Sequence, residues 1–208
     1  MTSFINPLAL IDTGFCNLSS VRNALTYLQC DHVVVDRYSE NQPIEYSAFI
    51  LPGVGAFQSA MKSLEERNLT KLIYRLVDQG TPGLGICLGL QLMASWSTEG
   101  GSKVKGLGLF NAGIQKLDPI NDTVPHIGWS RTYSTNNRWS ELYDLDNDFY
   151  YVHSYVAKPT NDNNVAAYFQ HGDAREVAAL CSDALVAVQF HPEKSQSSGL
   201  SLLKSFVS

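Results

Sequence analysis

The strongest candidate for covalent chemistry is a cysteine that has a glycine two residues away on each side. Cys87 lies in Gly85-Ile86-Cys87-Leu88-Gly89, between an apolar run at 83–86 that predicts a strand and a segment at 90–96 that predicts a helix. This pattern is typical of a nucleophile elbow, in which small neighbours permit a strained backbone at the start of a helix. The helix N-terminus favours a thiolate. A lone cysteine is more often a small buried residue in a turn, but this context favours a nucleophile.

A histidine and a glutamate near the carboxyl end supply the other groups that a cysteine nucleophile needs. They lie in Gln189-Phe190-His191-Pro192-Glu193-Lys194-Ser195, which ends an apolar run at 184–190. Residues two apart on an extended chain share a face, so Glu193 can orient His191 while the imidazole ring serves Cys87. Separately, the histidine would be structural and the glutamate a solvated charge. Together with the cysteine, they predict a Cys87–His191–Glu193 triad.

A glycine-rich segment is the candidate for an oxyanion hole. Leu51-Pro52-Gly53-Val54-Gly55-Ala56 follows an apolar run at 48–51, and it would lie at the carboxyl edge where open α/β sheets place their sites. Glycine adopts positive φ angles, so Gly53, Val54 and Gly55 can present a backbone N–H to an oxyanion, beside the N–H of Leu88. By itself a Pro-Gly segment is usually only a turn, and this one lacks the pattern of a dinucleotide site.

The elements that must position these residues alternate between strand and helix in the first half of the chain. Short continuous apolar runs predict strands covered on both faces, and therefore a mostly parallel sheet flanked by helices in an α/β fold. After Gly106, strands separated by turn residues predict an added antiparallel layer. The predicted strands are 8–11, 33–35, 48–51, 83–86, 113–117, 149–156, 165–169, 176–181 and 184–190, and the predicted helices begin at Leu18 or cover 61–66, 69–77, 90–96 and 198–206.

Composition argues against several classes of function. The chain has 208 residues, 44% hydrophobic and 17% charged, which fits one domain over 1–208. A formal charge of -5 without lysine or arginine clusters argues against nucleic acid or an anionic membrane as a partner. No apolar run approaches the ~18–20 residues of a membrane span, and a cytoplasmic location is expected. The four cysteines lack metal-site or redox spacing, so we expect no metal or cofactor.

These segments resemble the class I, triad-type glutamine amidotransferases and, within them, the glutaminase subunits of imidazole glycerol phosphate synthase. The resemblance covers nearly the whole chain. The cysteine elbow and the histidine–glutamate segment identify the superfamily, and the segments at 125–129 and 151–155 narrow it to the subunit. The matching segments are Asp12-Thr13-Gly14-Phe15-Cys16-Asn17-Leu18, Ser20-Val21, Leu51–Gly55, Gly85–Leu92, Pro125-His126-Ile127-Gly128-Trp129, Tyr151-Val152-His153-Ser154-Tyr155 and Gln189–Ser195.

The resemblance implies a flavodoxin-like amidotransferase fold and the hydrolysis of L-glutamine to glutamate and ammonia through a cysteinyl thioester. Cys87 would be the nucleophile, His191 the base and then the acid, and Glu193 the group that orients His191. The backbone at 53–55 and at Leu88 would form the oxyanion hole. An amide needs a side chain that both donates and accepts, and an α-ammonium group needs an acid. The residues implied to hold glutamine are Gln91, Glu99, Ser154 and Tyr155.

The resemblance also implies a protein partner. Ammonia released into neutral water is mostly protonated, so a nitrogen donor needs a dry path to its acceptor. The implied acceptor is the (β/α)8-barrel cyclase subunit of imidazole glycerol phosphate synthase, in a heterodimer of histidine biosynthesis. On this chain, the surface that contacts the cyclase subunit would include Asn17, Trp129, Tyr150 and Lys194. For Trp129 and Tyr150, ordinary core packing is a nearly equal explanation.

Three other interpretations stay open. The chain could supply ammonia to another synthase, such as one for surface-sugar amidination. It could instead be a free-standing γ-glutamyl peptidase or a related cysteine hydrolase. Finally, it could be a catalytically silent regulatory module, although an intact Cys87, His191 and Glu193 argues against this.

The remaining histidines and one segment carry separate predictions. His32 and His171 are expected at the surface, because an isolated histidine is seldom catalytic. His126 and His153 are equally well explained as pocket walls or as structural histidines. The segment 168–176 differs from the short turn that the resemblance implies.

Overall fold

A nine-stranded mixed sheet runs through the chain and is flanked by helices. The computed structural model describes residues 6–41, 45–120, 122–135 and 142–208, and within these ranges the chain forms thirteen strands and five α-helices. The strands are β1 (Leu8–Ile11), β2 (His32–Val35), β3 (Phe49–Gly53), β4 (Gly83–Cys87), β5 (Ala94–Ser97), β6 (Val104–Lys105), β7 (Phe110–Lys116), β8 (His126–Ser134), β9 (Asp148–His153), β10 (Tyr155–Pro159), β11 (Val165–His171), β12 (Ala174–Cys181) and β13 (Leu185–Val188). The helices are α1 (Leu18–Tyr27), α2 (Phe57–Glu66), α3 (Leu69–Asp78), α4 (Leu88–Met93) and α5 (Gln196–Val207).

The order of the strands divides the large sheet into two halves. Its first five strands are parallel in the order β2-β1-β3-β4-β13, which is the flavodoxin-like order 2-1-3-4-5. The sheet continues through β12, β11, β8 and β9, which are antiparallel. A second sheet of four strands has the order β10-β7-β5-β6. The predicted α/β fold with added antiparallel strands is therefore confirmed.

The parallel strands are covered on both faces, as their continuous apolar sequences predict. On β1, Leu8 and Leu10 pack into a core shared with α1 and α5, whereas Ala9 and Ile11 pack into a core shared with α2, α3 and α4. Successive side chains of a strand point to opposite faces, so one apolar run serves both cores. This arrangement leaves the carboxyl ends of β3, β4 and β13 together at one edge of the sheet. No helix within the described ranges is long and apolar enough to cross a membrane.

The helix predicted at 90–96 is wrong in its bounds. The helix α4 begins at Leu88 and ends at Met93, and the chain continues as strand β5. The reason is a tertiary contact, because the N–H groups of Leu107 and Leu109 donate to the carbonyls of Leu92 and Met93. These bonds take up carbonyl groups that a longer helix would have used.

The strand predicted at 149–156 is two strands. The first, β9, ends at His153 as the last strand of the large sheet, and the second, β10, begins at Tyr155 in the small sheet. The residue between them, Ser154, accepts a hydrogen bond from the N–H of Leu117 at 2.9 Å. Ser154 therefore marks the point where the chain passes from one sheet to the other.

Strand β8 was not predicted because its pattern is inverted relative to a strand that buries its apolar face. Its large side chains Ile127, Trp129 and Tyr133 are exposed by 59%, 49% and 50%. The alternate positions include Gly128 and Ser130, which offer little apolar surface. Large and small side chains do alternate along β8, but the large ones face outward, so the alternation did not indicate a strand packed on a core.

The large sheet curls so that its last strand meets the end of β13. Phe149 on β9 stacks on Phe190 with ring centroids 3.9 Å apart. The backbone of Tyr150 also binds this region, because its N–H donates to Ser195 Oγ at 2.9 Å and its carbonyl accepts from the N–H of His191 at 2.9 Å. The chain that follows β13 is thereby held against β9.

The prediction that His171 lies at the surface is wrong. The segment 168–176 is a hairpin between β11 and β12 with a turn at Gly172 and Asp173, and His171 pairs with Ala174 at its closed end. The imidazole ring is fully buried, with its centroid 5.6 Å from that of His126. Neither ring nitrogen has a hydrogen-bond partner among the described residues. The alternation of side chains along β11 directs His171 into the core. A single histidine in the sequence does not show which face of a strand it will occupy.

Candidate active site

Cys87 occupies a strained turn between β4 and α4. Its backbone has φ 54° and ψ -106°, a region that residues with a side chain rarely adopt. The flanking glycines are needed for packing: a Cβ on Gly89 would lie 1.7 Å from the carbonyl oxygen of Leu51, and a Cβ on Gly85 would lie 2.9 Å from Met93 Sδ. The glycines thus let α4 approach β3 closely and hold the thiol at the start of the helix.

The histidine and the glutamate meet at the carboxyl end of β13. His191 Nδ1 and Glu193 Oε1 are 2.8 Å apart, and their side chains are only 2% and 3% exposed. Burial lowers the pKa of His191, but its interactions with Cys87 and Glu193 outweigh burial and raise the pKa to about 10. The imidazole therefore carries a proton at neutral pH, between a carboxylate and a sulfur atom.

The turn at 191–195 is fixed by its own serine. Ser195 Oγ donates to the carbonyl of His191 at 2.6 Å and accepts from the N–H of Tyr150 at 2.9 Å. Helix α5 packs tightly behind the turn, since a Cβ on Gly199 would lie 1.9 Å from the carbonyl oxygen of Pro192. These contacts hold His191 and Glu193 at the level of Cys87.

A cavity of about 270 Å³ opens beside the thiol of Cys87. Its size suits a small ligand, near the lower end of the ~300–1,000 Å³ typical of such sites. It brings together all four residues predicted to hold glutamine and three of the four predicted at the oxyanion hole. The lining residues are Val54, Gly55, Cys87, Leu88, Gln91, Glu99, Val152, His153, Ser154 and Tyr155.

Two of the predicted ligand-binding side chains are themselves anchored. Gln91 Nε2 donates to the carbonyl of Tyr155 at 3.1 Å, across the pocket from α4 to β10. Glu99 Oε2 accepts from the N–H of Phe57 at 2.6 Å, the first residue of α2. A carboxylate is favoured at a helix N-terminus, so Glu99 also stabilises α2.

One backbone N–H of the predicted oxyanion segment is bound to a carbonyl elsewhere in the chain. Gly53 pairs with Cys87 across β3 and β4, and the close approach of Leu88 requires a glycine there, since a Cβ would lie 2.9 Å from that of Leu88. The N–H of Val54, however, donates to the carbonyl of Phe15 at 2.7 Å. This N–H can serve an oxyanion only after that bond breaks. The N–H of Leu88, in contrast, starts a helix and needs no rearrangement.

Comparison with known proteins decides the family. The model of the glutamine amidotransferase class-I family matches residues 9–208. The chain belongs to this family. Two relatives are named imidazole glycerol phosphate synthase subunit HisH. The subunit of Prochlorococcus marinus (strain MIT 9312) is 40% identical over 206 residues, covering 98% of both chains. The subunit of Aquifex aeolicus (strain VF5) is 42% identical over 200 residues, covering 95% of this chain and 94% of its own.

Solved structures show the same amidotransferase fold at low identity. A chain of PurLQS from Thermotoga maritima superposes with a TM-score of 0.75 at 14% identity and covers 98% of both chains. A crystal structure of a glutamine amidotransferase superposes with a TM-score of 0.68 at 17% identity, covering 95% of this chain and 98% of its own. These likenesses concern the fold alone.

The other cysteines of this amidotransferase are in surroundings that disfavour a thiolate. Burial, followed by the hydrogen bond and charge of Asp12, raises the pKa of Cys16 to about 12. Burial also raises the pKa of Cys181 to about 12. For Cys30, burial and the charge of Asp31 raise the pKa of the thiol. A thiolate-directed reagent is therefore disfavoured at these three positions.

The four predicted interface residues lie near one another, on the Glu193 side of the amidotransferase site. Trp129 and Tyr150 are paired across β8 and β9, with ring centroids 6.2 Å apart in an edge-to-face arrangement. Lys194 Nζ lies 5.9 Å from the centre of the Tyr150 ring. Asn17 is exposed and lines a small cavity together with Glu193. Trp129 is half exposed, so core packing does not account for it.

Two contributors to the amidotransferase pocket were not predicted from the sequence, Val152 and Gln189. Val152 lines the cavity, as does His153, for which a pocket wall was one of two explanations, and Gln189 Nε2 lies 3.8 Å from Cys87 Sγ. His153 Nδ1 lies 2.9 Å from the carbonyl of Tyr155, the same oxygen that Gln91 binds. A signal existed for Gln189, because residues 189 and 191 share a face when the chain is extended.

Proposed function

We propose that this chain is the glutaminase subunit of imidazole glycerol phosphate synthase, with Cys87, His191 and Glu193 as its catalytic triad. The observation that carries the proposal is the buried contact of 2.8 Å between His191 and Glu193, beside a cysteine on a strained elbow. Relatives at about 40% identity over nearly the full chain support the choice of subunit.

In the first half of the proposed reaction, the thiolate of Cys87 attacks the side-chain amide carbon of glutamine. The resulting tetrahedral oxyanion collapses, and the carbon–nitrogen bond breaks as protonated His191 donates its proton to the leaving nitrogen. Ammonia departs and a γ-glutamyl thioester remains on Cys87. The raised pKa of His191, to about 10, supports this role because the imidazole is already protonated when the amide binds. The proposed order is therefore acid and then base, the reverse of the order that the resemblance implies.

In the second half, neutral His191 takes a proton from water as the water attacks the thioester carbon. The carbon–sulfur bond then breaks, which releases glutamate and regenerates the thiolate beside a protonated imidazole. Glu193 stabilises the imidazolium and fixes which ring nitrogen faces Cys87.

We propose that glutamine occupies the 270 Å³ cavity. Glu99 would bind the α-ammonium group and Gln91 would bind a polar group of the substrate. The backbone of Ser154 and Tyr155 would complete the site, because the change of sheet at Ser154 leaves peptide groups at the cavity wall.

The oxyanion hole is proposed to be only half formed in this conformation. Leu88 would supply one N–H, and the segment at 53–55 would supply a second after the bond from Val54 to Phe15 breaks. Gly53 contributes to the peptide that must turn, and Gly55, at φ 99°, follows Val54 directly. This state favours a subunit that is nearly inactive until a partner reorients the segment.

The proposed partner is the (β/α)8-barrel cyclase subunit in a heterodimer, docking on Asn17, Trp129, Tyr150 and Lys194. The half-exposed Trp129 beside Tyr150 supports this surface, since aromatic anchors are enriched at interfaces.

We further propose that residues 1–208 form one amidotransferase domain, supported by the family match over 9–208. A cytoplasmic location stays a prediction.

The deciding experiment measures glutamate release from glutamine by the purified chain, alone and with the cyclase subunit plus its nucleotide ligand. We expect the rate to rise by at least ~10²-fold with the partner, which is the cost of losing one oxyanion donor. The variant Cys87→Ala should abolish release in both states.

Other outcomes would contradict the proposal. Full activity of the isolated chain would indicate a free-standing hydrolase. Activity that responds to a different synthase would reassign the partner, and a Cys87→Ala variant as active as the unaltered chain would remove the triad.

A further inference from the structure

Gln189 is a fully buried polar side chain that the proposed mechanism leaves without a task. It follows β13 directly, and its backbone N–H donates to the carbonyl of Ala178 at 2.8 Å. Among the described residues its carboxamide makes two polar contacts, with Nε2 3.8 Å from Cys87 Sγ and Oε1 3.4 Å from Gln91 Nε2. A buried amide is costly unless its hydrogen bonds are made, so these contacts require an explanation.

The orientation of this amide is fixed by a backbone carbonyl. The oxygen of Tyr155 can only accept, so the group of Gln91 that lies 3.1 Å from it must be the donor Nε2. The same Nε2 then faces Gln189, and a donor there requires the acceptor Oε1 of Gln189. Reversing either amide would place two acceptors or two donors against each other. Consequently, Gln189 must direct Nε2 at the sulfur.

A second contact to the sulfur has the opposite preference. The carbonyl oxygen of Val152 lies 3.9 Å from Cys87 Sγ. A protonated thiol can donate to this oxygen, whereas a thiolate is repelled by it. An N–H donor from Gln189 stabilises the thiolate much more than the protonated thiol, whose sulfur is only a weak acceptor. The two contacts therefore oppose each other at the reacting atom.

We propose that Gln189 is a further catalytic residue, whose carboxamide donates to the thiolate of Cys87 and is held in that orientation by Gln91. The inference deepens the proposed function, because Gln91 also lines the pocket assigned to glutamine. Both hydrogens of Gln91 Nε2 are committed to Tyr155 and Gln189, which leaves Oε1 to accept from the substrate. Substrate contact and nucleophile are thus joined through two amides.

The test follows alkylation of Cys87 by iodoacetamide as a function of pH, read by mass spectrometry of the Cys87 peptide. It uses the unaltered full-length chain, Gln189→Met and Gln189→Glu. Methionine keeps the length but removes the donor, and glutamate also replaces it with an acceptor. The matched control is Gln170→Glu, the same change at an exposed glutamine of β11. Circular dichroism and thermal unfolding establish which variants are folded.

We expect the midpoint of the rate–pH profile to rise by about one pH unit in Gln189→Met, because a hydrogen bond to a charged group is worth roughly tenfold or more. It should rise further in Gln189→Glu and stay unchanged in Gln170→Glu. The variant Gln91→Met should move it in the same direction by less, since Gln189 is then free to turn.

An unchanged midpoint in a folded Gln189→Met variant would overturn the inference, even if activity were lost, since only packing would then be affected. Because iodoacetamide needs neither glutamine nor a partner, this result is independent of the glutaminase assay. A glutaminase that fails to respond to the cyclase subunit would refute the proposed function while leaving the displaced midpoint to stand. If Gln189→Met does not fold, the Gln91→Met profile decides, and its failure to move would also overturn the proposal.

Discussion

Glu99 combines two tasks that a sequence motif does not separate. One carboxylate oxygen accepts from the first N–H of α2 at 2.6 Å, while the side chain also lines the cavity beside Cys87. Such a residue is held in place by the helix before any ligand arrives. Its negative charge is then already directed at the pocket, and it does not lose side-chain freedom on binding.

Replacing Glu99 with glutamine should separate these tasks. The amide oxygen still accepts from Phe57, so the free energy of unfolding should fall by no more than ~1 kcal/mol. The lost charge should raise the KM for glutamine by roughly tenfold or more with little change in kcat, because an ion pair to the α-ammonium group forms in both ground and transition states. Steady-state kinetics of the stimulated complex and urea unfolding measure both effects. An unchanged KM would contradict the ligand role of Glu99.

At the residue scale, chemical type and short spacing were enough to predict Cys87, His191 and Glu193. They were not enough to predict the contact of Gln189 with the sulfur, because that distance depends on how the ends of β4 and β13 lie together. The direction of the Val54 N–H was equally inaccessible. It is decided by a carbonyl from a distant part of the sequence, at Phe15.

Among the elements, the elbow depends on how closely α4 approaches β3. A Cβ on Gly89 would lie 1.7 Å from the backbone carbonyl oxygen of Leu51, whereas a Cβ on Gly85 would lie 2.9 Å from Met93 Sδ and 3.0 Å from backbone atoms of Gly89 and Leu90. The two glycines flank the same cysteine symmetrically in sequence, but the steric overlap at Gly89 is far more severe.

Alanine at these two positions should therefore have unequal effects. Gly89→Ala should lower the free energy of unfolding by about 3 kcal/mol or more and remove activity, because a Cβ 1.7 Å from the Leu51 oxygen forces α4 away from β3. Gly85→Ala should cost about 1 kcal/mol, since contacts of 2.9 to 3.0 Å can be relieved by small shifts of Met93 and of the start of α4. Urea unfolding of the two variants makes the comparison. Equal losses would show that close packing at Gly89 is not what fixes the elbow.

The elements predicted well were those whose apolar pattern matched their burial, such as β1, β3 and α3. The failures have physical causes that lie outside the local sequence. Helix α4 ends early because Leu107 and Leu109 bind its carbonyls, and β8 was missed because its large side chains face outward. The division at Ser154 depends on a second sheet to receive β10.

For the whole molecule, two buried histidines give opposite dependences of stability on pH. The pKa of His191 is raised to about 10, so its contribution is fully present below pH 6.5 and is lost as pH rises through 10. Burial lowers the pKa of His153 to about 3, with the nearby His126, His171 and His191 adding to the effect and the Tyr155 carbonyl opposing it. Below pH 6.5, His153 therefore binds a proton in the unfolded chain but not in the folded chain. Stability should therefore decline in acid from pH 6.5 towards 3.

The variant His153→Asn should reduce this acid sensitivity. Asparagine can still donate to the carbonyl of Tyr155, but it cannot take up a proton in the unfolded chain. In the unaltered chain, His153 should lower the free energy of unfolding by about 2 kcal/mol between pH 7 and pH 5. This decrease should be absent from the variant. Urea unfolding at both pH values measures the difference. His32→Asn, at a half-buried histidine of β2, is the matched control, and an equal reduction there would argue against His153 as the cause.

The curl that brings β9 against the end of β13 gives the molecule a built-in reporter. An N–H on the outer side of a last strand ordinarily exchanges its hydrogen with solvent quickly, but that of Tyr150 is bound to Ser195 in the same turn as His191 and Glu193. Its exchange rate should follow the undocking of that turn, together with any wider unfolding that includes it. Hydrogen–deuterium exchange at this amide would then record, without substrate, what fraction of the molecules has an assembled histidine–glutamate pair.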